Sequence, residues 1–225
     1  MMWQRQRISF LGLRLWFPDP RKADKDGLLA AGGDLTPERL LLAYRNGIFP
    51  WTYDPITWWS PDPRAVFEIG EFHVSHRLDR LIRQGRFTVT FDRAFRRVMQ
   101  ECSQPRSCGE ETWISPEFID AYEQLHRLGH AHSVETWLGE TLVGGVYGVS
   151  VGGLFAGESM FFRVSNASRV ALAVLMRHLQ ERGYRLFDSQ VITPATSRMG
   201  VKQISREEYL RRLQEVVPLP VSFGP

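Results

Sequence analysis

The apolar run LFDSQVI, residues 186–192, contains a carboxylate and an amide two positions apart, Asp188 and Gln190. Because side chains alternate between the two faces of a strand, both are expected to point the same way. A buried carboxylate needs partners, since removing its charge from water is costly. The pair is suited to proton transfer or to positioning an amine. It is equally compatible with a structural hydrogen-bond network or with a strand end in contact with water.

A second acid, Glu158, lies in the aromatic segment FAGESMFF, residues 155–162. Strict alternation places Glu158 and Met160 on one face of this predicted strand and Phe155 on the other. Gly157 indicates a β-bulge or a close approach of another part of the backbone. A glutamate in such surroundings is expected to be paired. An ion pair with Arg163 or another nearby arginine is therefore the structural alternative to a role in chemistry.

Tryptophan, histidine and cysteine residues give weaker signals. Trp113 lies two residues before Ser115, where a helix is predicted to start; tryptophan in such a position usually packs in the core but can also stack on a base or a ribose. His130 and His132 share one face of a predicted strand, yet no third metal ligand is evident. Cys102 and Cys108 are spaced as in no common zinc or redox motif, so two free thiols are predicted. Neither a metal nor another cofactor is expected.

Arginine is concentrated between residues 73 and 106, where eight arginines accompany only three acidic residues. The whole chain has a formal net charge of only +3, so the positive charge is local. Such a surplus suits contact with phosphates, although a solvated helix face explains it equally well. Arg77, Arg80 and Arg83 recur every three residues on a short predicted helix and therefore lie along one side of it.

The hydrophobic pattern predicts helices and strands in an α+β order. A helix beginning at Thr36 precedes an aromatic, proline-rich segment, residues 47–64, which we interpret as a rigid connector. Residues 131–163 predict a three-strand meander. A long helix and a strand over residues 185–192 follow, so the strands that flank this helix are expected to be parallel neighbours. No G-x-G-x-x-G motif follows a strand, which disfavours a Rossmann domain.

The connector suggests two domains, a small N-terminal domain over residues 1–64 and a larger one over residues 65–225 with a mixed, partly antiparallel sheet. The chain has 225 residues, of which 43% are hydrophobic and 24% charged, as is typical of soluble globular proteins. No segment approaches the ~18 apolar residues that a membrane span needs. The first residues make a poor signal peptide. A cytoplasmic protein without a membrane partner is therefore predicted.

Eight segments together resemble the leucyl/phenylalanyl-tRNA–protein transferase family, over most of the chain. They are GLLAAGGDL (27–35), GIFPW (47–51), WWSPDPR (58–64), TWI (112–114), GHAHSVE (129–135), LVGGVYGV (142–149), GESMF (157–161) and FDSQV (187–191). The resemblance implies that the larger domain has the GNAT-type (N-acetyltransferase-like) fold. It implies Leu-tRNA and Phe-tRNA as donors and proteins with an N-terminal Arg or Lys as acceptors. The product would be marked for N-end-rule degradation, which links the chain indirectly to the degradation machinery.

The resemblance also assigns roles to residues. Asp188 and Gln190 match the catalytic pair proposed for the family, and Glu158 matches an acid beside the reaction centre. Trp113 matches the residue that stacks on the terminal adenosine of the tRNA. Four positions match the pocket in which the family binds the side chain of the transferred amino acid. Two of them, Val146 and Leu175, differ in residue type from the family pattern. The four positions are Val146, Phe155, Met160 and Leu175.

The implied reaction is aminolysis of an activated ester, which needs neither ATP nor a metal. The protein has to orient the attacking amine, help to remove its proton and stabilise the oxyanion. Asp188 is expected to act as a base or a charge anchor, and Gln190 to position the amine. Glu158 would hold either the ammonium of the donor or the basic side chain of the acceptor. A flexible apolar pocket discriminates poorly between similar side chains, so methionine should be a weaker donor than leucine or phenylalanine.

Two other functions are compatible with parts of this pattern. An acyl-CoA N-acyltransferase of the same fold would offer a glycine-rich turn to a pyrophosphate at a helix start. The corresponding segment here, residues 164–169, contains no glycine. A non-catalytic tRNA-binding protein would account for the arginines and tryptophans, but it leaves Asp188 and Gln190 without a role.

Overall fold

A computed structural model describes residues 8–105 and 112–224, so the predictions for Arg106 and Cys108 lie outside the described residues. The first part of the chain forms a four-stranded sheet with one helix. Strands pair in the order β1-β2-β4-β3, with β1 parallel to β2 and the other pairs antiparallel. The elements are β1 (Ser9–Leu11), β2 (Leu28–Gly32), α1 (Pro37–Arg45), β3 (Phe49–Tyr53) and β4 (Ile56–Trp59).

The segment over residues 47–64 is not a connector, as the sequence had suggested, but chiefly a β-hairpin of this first sheet. Its aromatic and β-branched residues favour strands, and its prolines occupy positions where a strand tolerates them. Pro50 lies in β3, which is an edge strand, and Pro55 lies in the turn between β3 and β4. The hairpin brings Phe49 and Trp51 close to the larger sheet, where they contribute to the site described below.

The rest of the chain forms a seven-stranded mixed sheet in the order β11-β5-β10-β9-β8-β7-β6. The predicted meander is confirmed as β7-β8-β9, and β9 and β10 are parallel neighbours joined by a helix, as expected. The α+β prediction is therefore confirmed. The strands are β5 (Arg64–Phe67), β6 (Thr88–Phe91), β7 (Ala131–Leu138), β8 (Thr141–Val151), β9 (Leu154–Phe162), β10 (Leu186–Gln190) and β11 (Lys202–Ile204). The helices are α2 (His76–Arg83), α3 (Phe95–Cys102), α4 (Pro116–Arg127), α5 (Ala167–Glu181), α6 (Pro194–Ser197) and α7 (Arg206–Val216).

Helices cover both faces of the large sheet. Val146 of β8 packs in a core with residues of α5, whereas its neighbour Tyr147 packs with residues of α3 and α4. This alternation shows that α5 lies on one face and that α3 and α4 lie on the other. The helix that connects β9 to β10 is α5, and it buries Ala171, Leu175 and Leu179 against the sheet. Among the described residues, no helix has the length and apolarity needed to cross a bilayer.

Candidate active site

A β-bulge in β9 sets the direction of Glu158. Tyr147 pairs with Ser159 and Gly148 pairs with Gly157, so Glu158 is one residue more than the partner strand provides. The extra residue shifts the alternation of the strand. Strict alternation, which placed Glu158 and Met160 on one face, is therefore wrong. Met160 packs with the core on the α5 side, whereas the carboxylate of Glu158 meets residues of α1 and α4. The bulge expected at Gly157 is confirmed.

Three neutral polar groups surround the carboxylate of Glu158. Its Oε1 accepts hydrogen bonds from Tyr44 Oη at 2.8 Å and from Gln190 Nε2 at 2.7 Å. Its Oε2 lies 3.5 Å from Tyr122 Oη, and the two tyrosine hydroxyls are 2.5 Å apart. The structural alternative of an ion pair between Glu158 and Arg163 is wrong, because Arg163 instead pairs with Glu101 at 2.7 Å. Burial raises the pKa of Glu158 to about 8, although the hydrogen bond from Tyr44 opposes this shift.

Asp188 is fully buried and bound by four donors. Arg64 makes a bidentate pair with it, Nε to Oδ1 at 2.9 Å and Nη2 to Oδ2 at 2.6 Å. Tyr209 Oη donates to Oδ2 at 2.8 Å, and the backbone N–H of Gln190 donates to Oδ1 at 2.8 Å. The Arg64 guanidinium also lies against the rings of Phe49 and Tyr209, 4.9 and 4.4 Å from their centroids. Complete burial and four hydrogen bonds to its carboxylate fit Asp188 as a charge anchor better than as a base that faces a substrate.

Gln190 ends β10 in a left-handed conformation, with φ of 61°. The pairing of β10 with β5 shifts by one residue between Asp188 and Gln190. The alternation that predicted a shared face therefore does not hold here. A different geometry joins the two residues: Asp188 binds the backbone N–H of Gln190, and the amide side chain of Gln190 binds Glu158. An unfavourable backbone conformation at a non-glycine residue is thus held by the buried anchor.

Glu158 and Gln190 line a cavity of about 300 Å³. Of the predicted pocket residues, Val146 and Met160 line it, and so does Trp113, whose ring meets that of Phe118 edge to face at 5.2 Å. Sequence reasoning missed several apolar and aromatic lining residues. They are Phe67, Leu172 and Phe187, and from the first sheet Phe49, Pro50 and Trp51. The motif GIFPW, which contains the last three, was the signal that could have indicated them.

Two other predicted pocket residues lie deeper in the protein. Phe155 and Leu175 are 1% and 0% exposed and belong to the core between the sheet and α5. They are absent from the lining of the cavity, as is Asp188. Phe155 packs against Phe187 with ring centroids 5.5 Å apart, so it supports a lining residue from behind. Its influence on a ligand would be indirect.

The predicted basic helix is confirmed as α2, with Ser75 Oγ accepting from the backbone at its N-terminus. Its three arginines, Arg77, Arg80 and Arg83, are exposed and do not line the cavity. Arg83 pairs with Asp79 at 2.5 Å, and Asp79 also pairs with Arg177 of α5. The α2 helix therefore has its own structural ion pairs, and contact with phosphates remains a prediction.

One group of potential metal ligands occurs among the described residues, formed by Asp92, His126 and His132. Each is already bonded within the protein. His132 Nδ1 lies 2.7 Å from Asp92, and His126 Nδ1 lies 2.8 Å from the carbonyl oxygen of Ala131. A ring nitrogen facing a carbonyl carries its proton and offers no lone pair to a metal. His132 is accordingly a buried, hydrogen-bonded histidine.

The two sheets make an α+β protein whose cavity has an acidic residue, Glu158, at its wall. Two family models match the chain. One is described as leucyl/phenylalanyl-tRNA protein transferase and matches residues 66–214, and the other describes the N-terminal domain of that protein and matches residues 33–62. The chain belongs to the leucyl/phenylalanyl-tRNA protein transferase family.

Relatives of known name agree with this assignment. A leucyl/phenylalanyl-tRNA–protein transferase of Anaeromyxobacter sp. is 53% identical over 211 residues, 92% of this chain and 90% of the relative. One of Shewanella baltica strain OS155 is 50% identical over 209 residues, 91% of this chain and 88% of the relative.

Similar solved structures are much more distant. L-PGS from Bacillus licheniformis has a TM-score of 0.43 at 15% identity, over 74% of this chain and 55% of that one. A GCN5-related N-acetyltransferase from Kribbella flavida has a TM-score of 0.40 at 10% identity, over 75% and 61%. Neither likeness bears on what this chain binds.

Proposed function

We propose that this protein transfers leucine or phenylalanine from charged tRNA to the N-terminal Arg or Lys of an acceptor protein. The observation that carries the proposal is the position of Glu158 and Gln190 at the wall of a partly apolar cavity of about 300 Å³. That volume is at the small end of ligand pockets, which suits one aminoacyl group. The membership of the chain in its family supports the same activity.

The cavity has a part that suits each portion of the donor. Val146, Met160 and Leu172 provide an apolar surface for the side chain of leucine or phenylalanine. Met160 is adaptable, so methionine should bind more weakly rather than be excluded. Trp113 and Trp51 offer aromatic surface to the terminal adenosine, because a base stacks readily on an indole ring.

In the proposed reaction the α-amine of the acceptor attacks the ester carbonyl of the donor. The new C–N bond forms, the C–O bond to the ribose breaks, and the ribose oxygen leaves with a proton. Glu158 takes the proton that the amine loses and passes it to the leaving ribose oxygen, so its carboxylate is regenerated. Gln190 orients the reacting groups through its hydrogen bond to Glu158. A pKa of about 8 for Glu158 is close to the ~7.7–8.0 of an α-amine, so the proton moves between groups of similar strength. Asp188 acts as the anchor that holds Gln190.

A transfer assay tests this function directly. The protein is incubated with Leu-tRNA carrying radiolabelled leucine and with an acceptor protein that begins with Arg. We expect label in the acceptor, and none in an otherwise identical acceptor that begins with an acetylated Arg, which has no free amine. Acetyl-CoA serves as the alternative donor. Absence of label from Leu-tRNA, or acetylation of the acceptor instead, would contradict the proposal.

The place and consequence of the reaction follow from its substrates. Charged tRNA is available where translation takes place, so we place the protein in the cytoplasm. A hydrophobic residue added to the acceptor would mark it for degradation. The second point is tested by following an acceptor with N-terminal Arg in cells with and without this protein. A longer half-life without the protein is expected, and an unchanged half-life would contradict the second point.

A further inference from the structure

Two exposed arginines lie against a tryptophan near the β6 edge of the large sheet. The guanidinium carbons of Arg93 and Arg97 each lie 5.5 Å from the ring centroid of Trp137. The indole ring of Trp137 is held in place by a hydrogen bond, which its Nε1–H donates to Thr90 Oγ1 at 2.8 Å. Trp137 itself is only 7% exposed. We call Arg93, Arg97 and Trp137 the arginine platform.

The charges of the platform are not used within the described part of the chain. Neither Arg93 nor Arg97 makes an ion pair there, whereas Arg96 between them is held by Asp120 and Glu123. A guanidinium that lies on an aromatic ring keeps its N–H edge available to an anion. Both arginines are exposed, and both line an open groove.

Helix stability does not account for these charges. Arg97 lies in the first turn of α3, and Arg93 directly precedes the residue that caps this helix. Positive charge is unfavourable at the N-terminus of a helix, and the first turn of α3 contains no acidic residue that would offset it. An anionic partner at this place would remove the conflict.

The platform is connected to the cavity by α3. The helix begins beside the platform and ends at Cys102, which lines the cavity together with Trp113. Eight residues of helix span about 12 Å. If the last base of a single-stranded RNA end lay on Trp113, its next few nucleotides would cover a distance of this size, and their phosphates would come near the platform.

We infer that Arg93 and Arg97 bind backbone phosphates of the single-stranded 3′ end of the donor tRNA. This inference rests on the proposed function and names the part of the substrate that meets a second surface. A planar guanidinium can bind a phosphate through two parallel hydrogen bonds. The platform acts on affinity and leaves the chemical step unchanged.

The test compares two double variants of equal charge. R93Q/R97Q removes the platform charges, and R182Q/R185Q removes two exposed arginines near the start of β10, at the end of that strand opposite Gln190. Binding of tRNA is measured between 50 and 200 mM salt. The salt slope is the decrease of log affinity per unit of log salt concentration, and each phosphate contact to a single strand contributes ~0.7 to it. Losing two contacts lowers the slope by ~1.4. The variant's affinity should therefore fall about sevenfold less than that of the unmodified protein between 50 and 200 mM salt. We expect this change for R93Q/R97Q and none for R182Q/R185Q.

Further measurements separate the possible explanations. R93K/R97K should keep most of the salt slope because it retains both charges. Each single Gln variant should lower the slope by ~0.7. The single variants keep the test available if the double variant unfolds. A short RNA with the same 3′ end should show the same loss as whole tRNA. Equal slopes for R93Q/R97Q and the unmodified protein would overturn the inference, as would equal losses in both double variants. Failure of the unmodified protein to transfer would instead contradict the proposed function.

Discussion

Replacing Asp188 by asparagine distinguishes an anchor from a base. The substitution keeps the shape of the side chain but leaves the Arg64 guanidinium buried without its opposite charge. Breaking a buried ion pair on one side costs about 3–5 kcal/mol. For a chain of this size each kcal/mol lowers Tm by roughly 2–4 °C, so a decrease of about 6–20 °C is expected. Transfer should fall as well, because the backbone N–H of Gln190 loses a charged acceptor.

Denaturant unfolding and single-turnover transfer are measured together on three variants. Tyr209→Phe removes one of the four donors and should cost about 1.5–3 kcal/mol. Arg64→Met combined with Asp188→Leu should recover most of the stability that Asp188→Asn loses, because apolar residues can replace a buried ion pair. Its transfer should remain low. If Asp188→Asn unfolds at the wild-type midpoint while transfer falls by about 10²–10⁴-fold, Asp188 is the base and the anchor assignment is wrong.

Three further predictions concern other parts of the protein. Folded Glu158 keeps its proton up to about pH 8, whereas an unfolded glutamate loses it near ~4.3, so stability should fall as the pH rises between these values. Glu158→Gln should flatten this dependence in denaturant titrations at pH 5, 7 and 8.5. The transfer rate of the unmodified protein should rise towards pH 8, because Glu158 accepts a proton only after losing its own, and Glu158→Gln should abolish this rise. An equal change of stability with pH in both proteins would refute the prediction. Met160→Ala should change the ratio of leucine to phenylalanine transfer. Phe155→Ala should mainly lower the free energy of unfolding, by about 3–5 kcal/mol. The reverse pattern would show that Phe155, and not Met160, contacts the side chain of the donor. Replacing the three α2 arginines by alanine should reduce the salt dependence of tRNA binding, and an unchanged slope would leave them as a solvated helix face.

Local periodicity was sufficient to predict much of the large sheet. The meander and the parallel neighbours β9 and β10 follow from strand alternation and from the handedness of a helical crossover. Alternation failed at two places, Glu158 and Gln190, where one extra residue shifts the register. Gly157 indicated the first of these shifts. No glycine marks the second, because the left-handed residue there is a glutamine held by its neighbours.

The partners of the acidic residues could not be predicted from spacing. Arg64 is 124 positions from Asp188, and Tyr44 is 114 positions from Glu158. Such contacts depend on how two sheets pack, and no local pattern encodes that packing. Arg64 appeared in the sequence only as the end of the motif WWSPDPR. Its burial, at 1% exposure, is visible only once the second sheet is in place.

Tyr44 and Phe49 have a consequence for how this protein can change through evolution. They belong to the N-terminal unit, yet one supplies a hydroxyl to Glu158 and the other supplies a ring to Arg64. An N-terminal unit taken from a distant relative can replace this one only if it delivers both groups at the same places. The two parts of the chain are therefore not interchangeable modules. Substitutions in α1 and β3 must be matched by changes around β9 and β10, so these segments are expected to diverge together rather than independently.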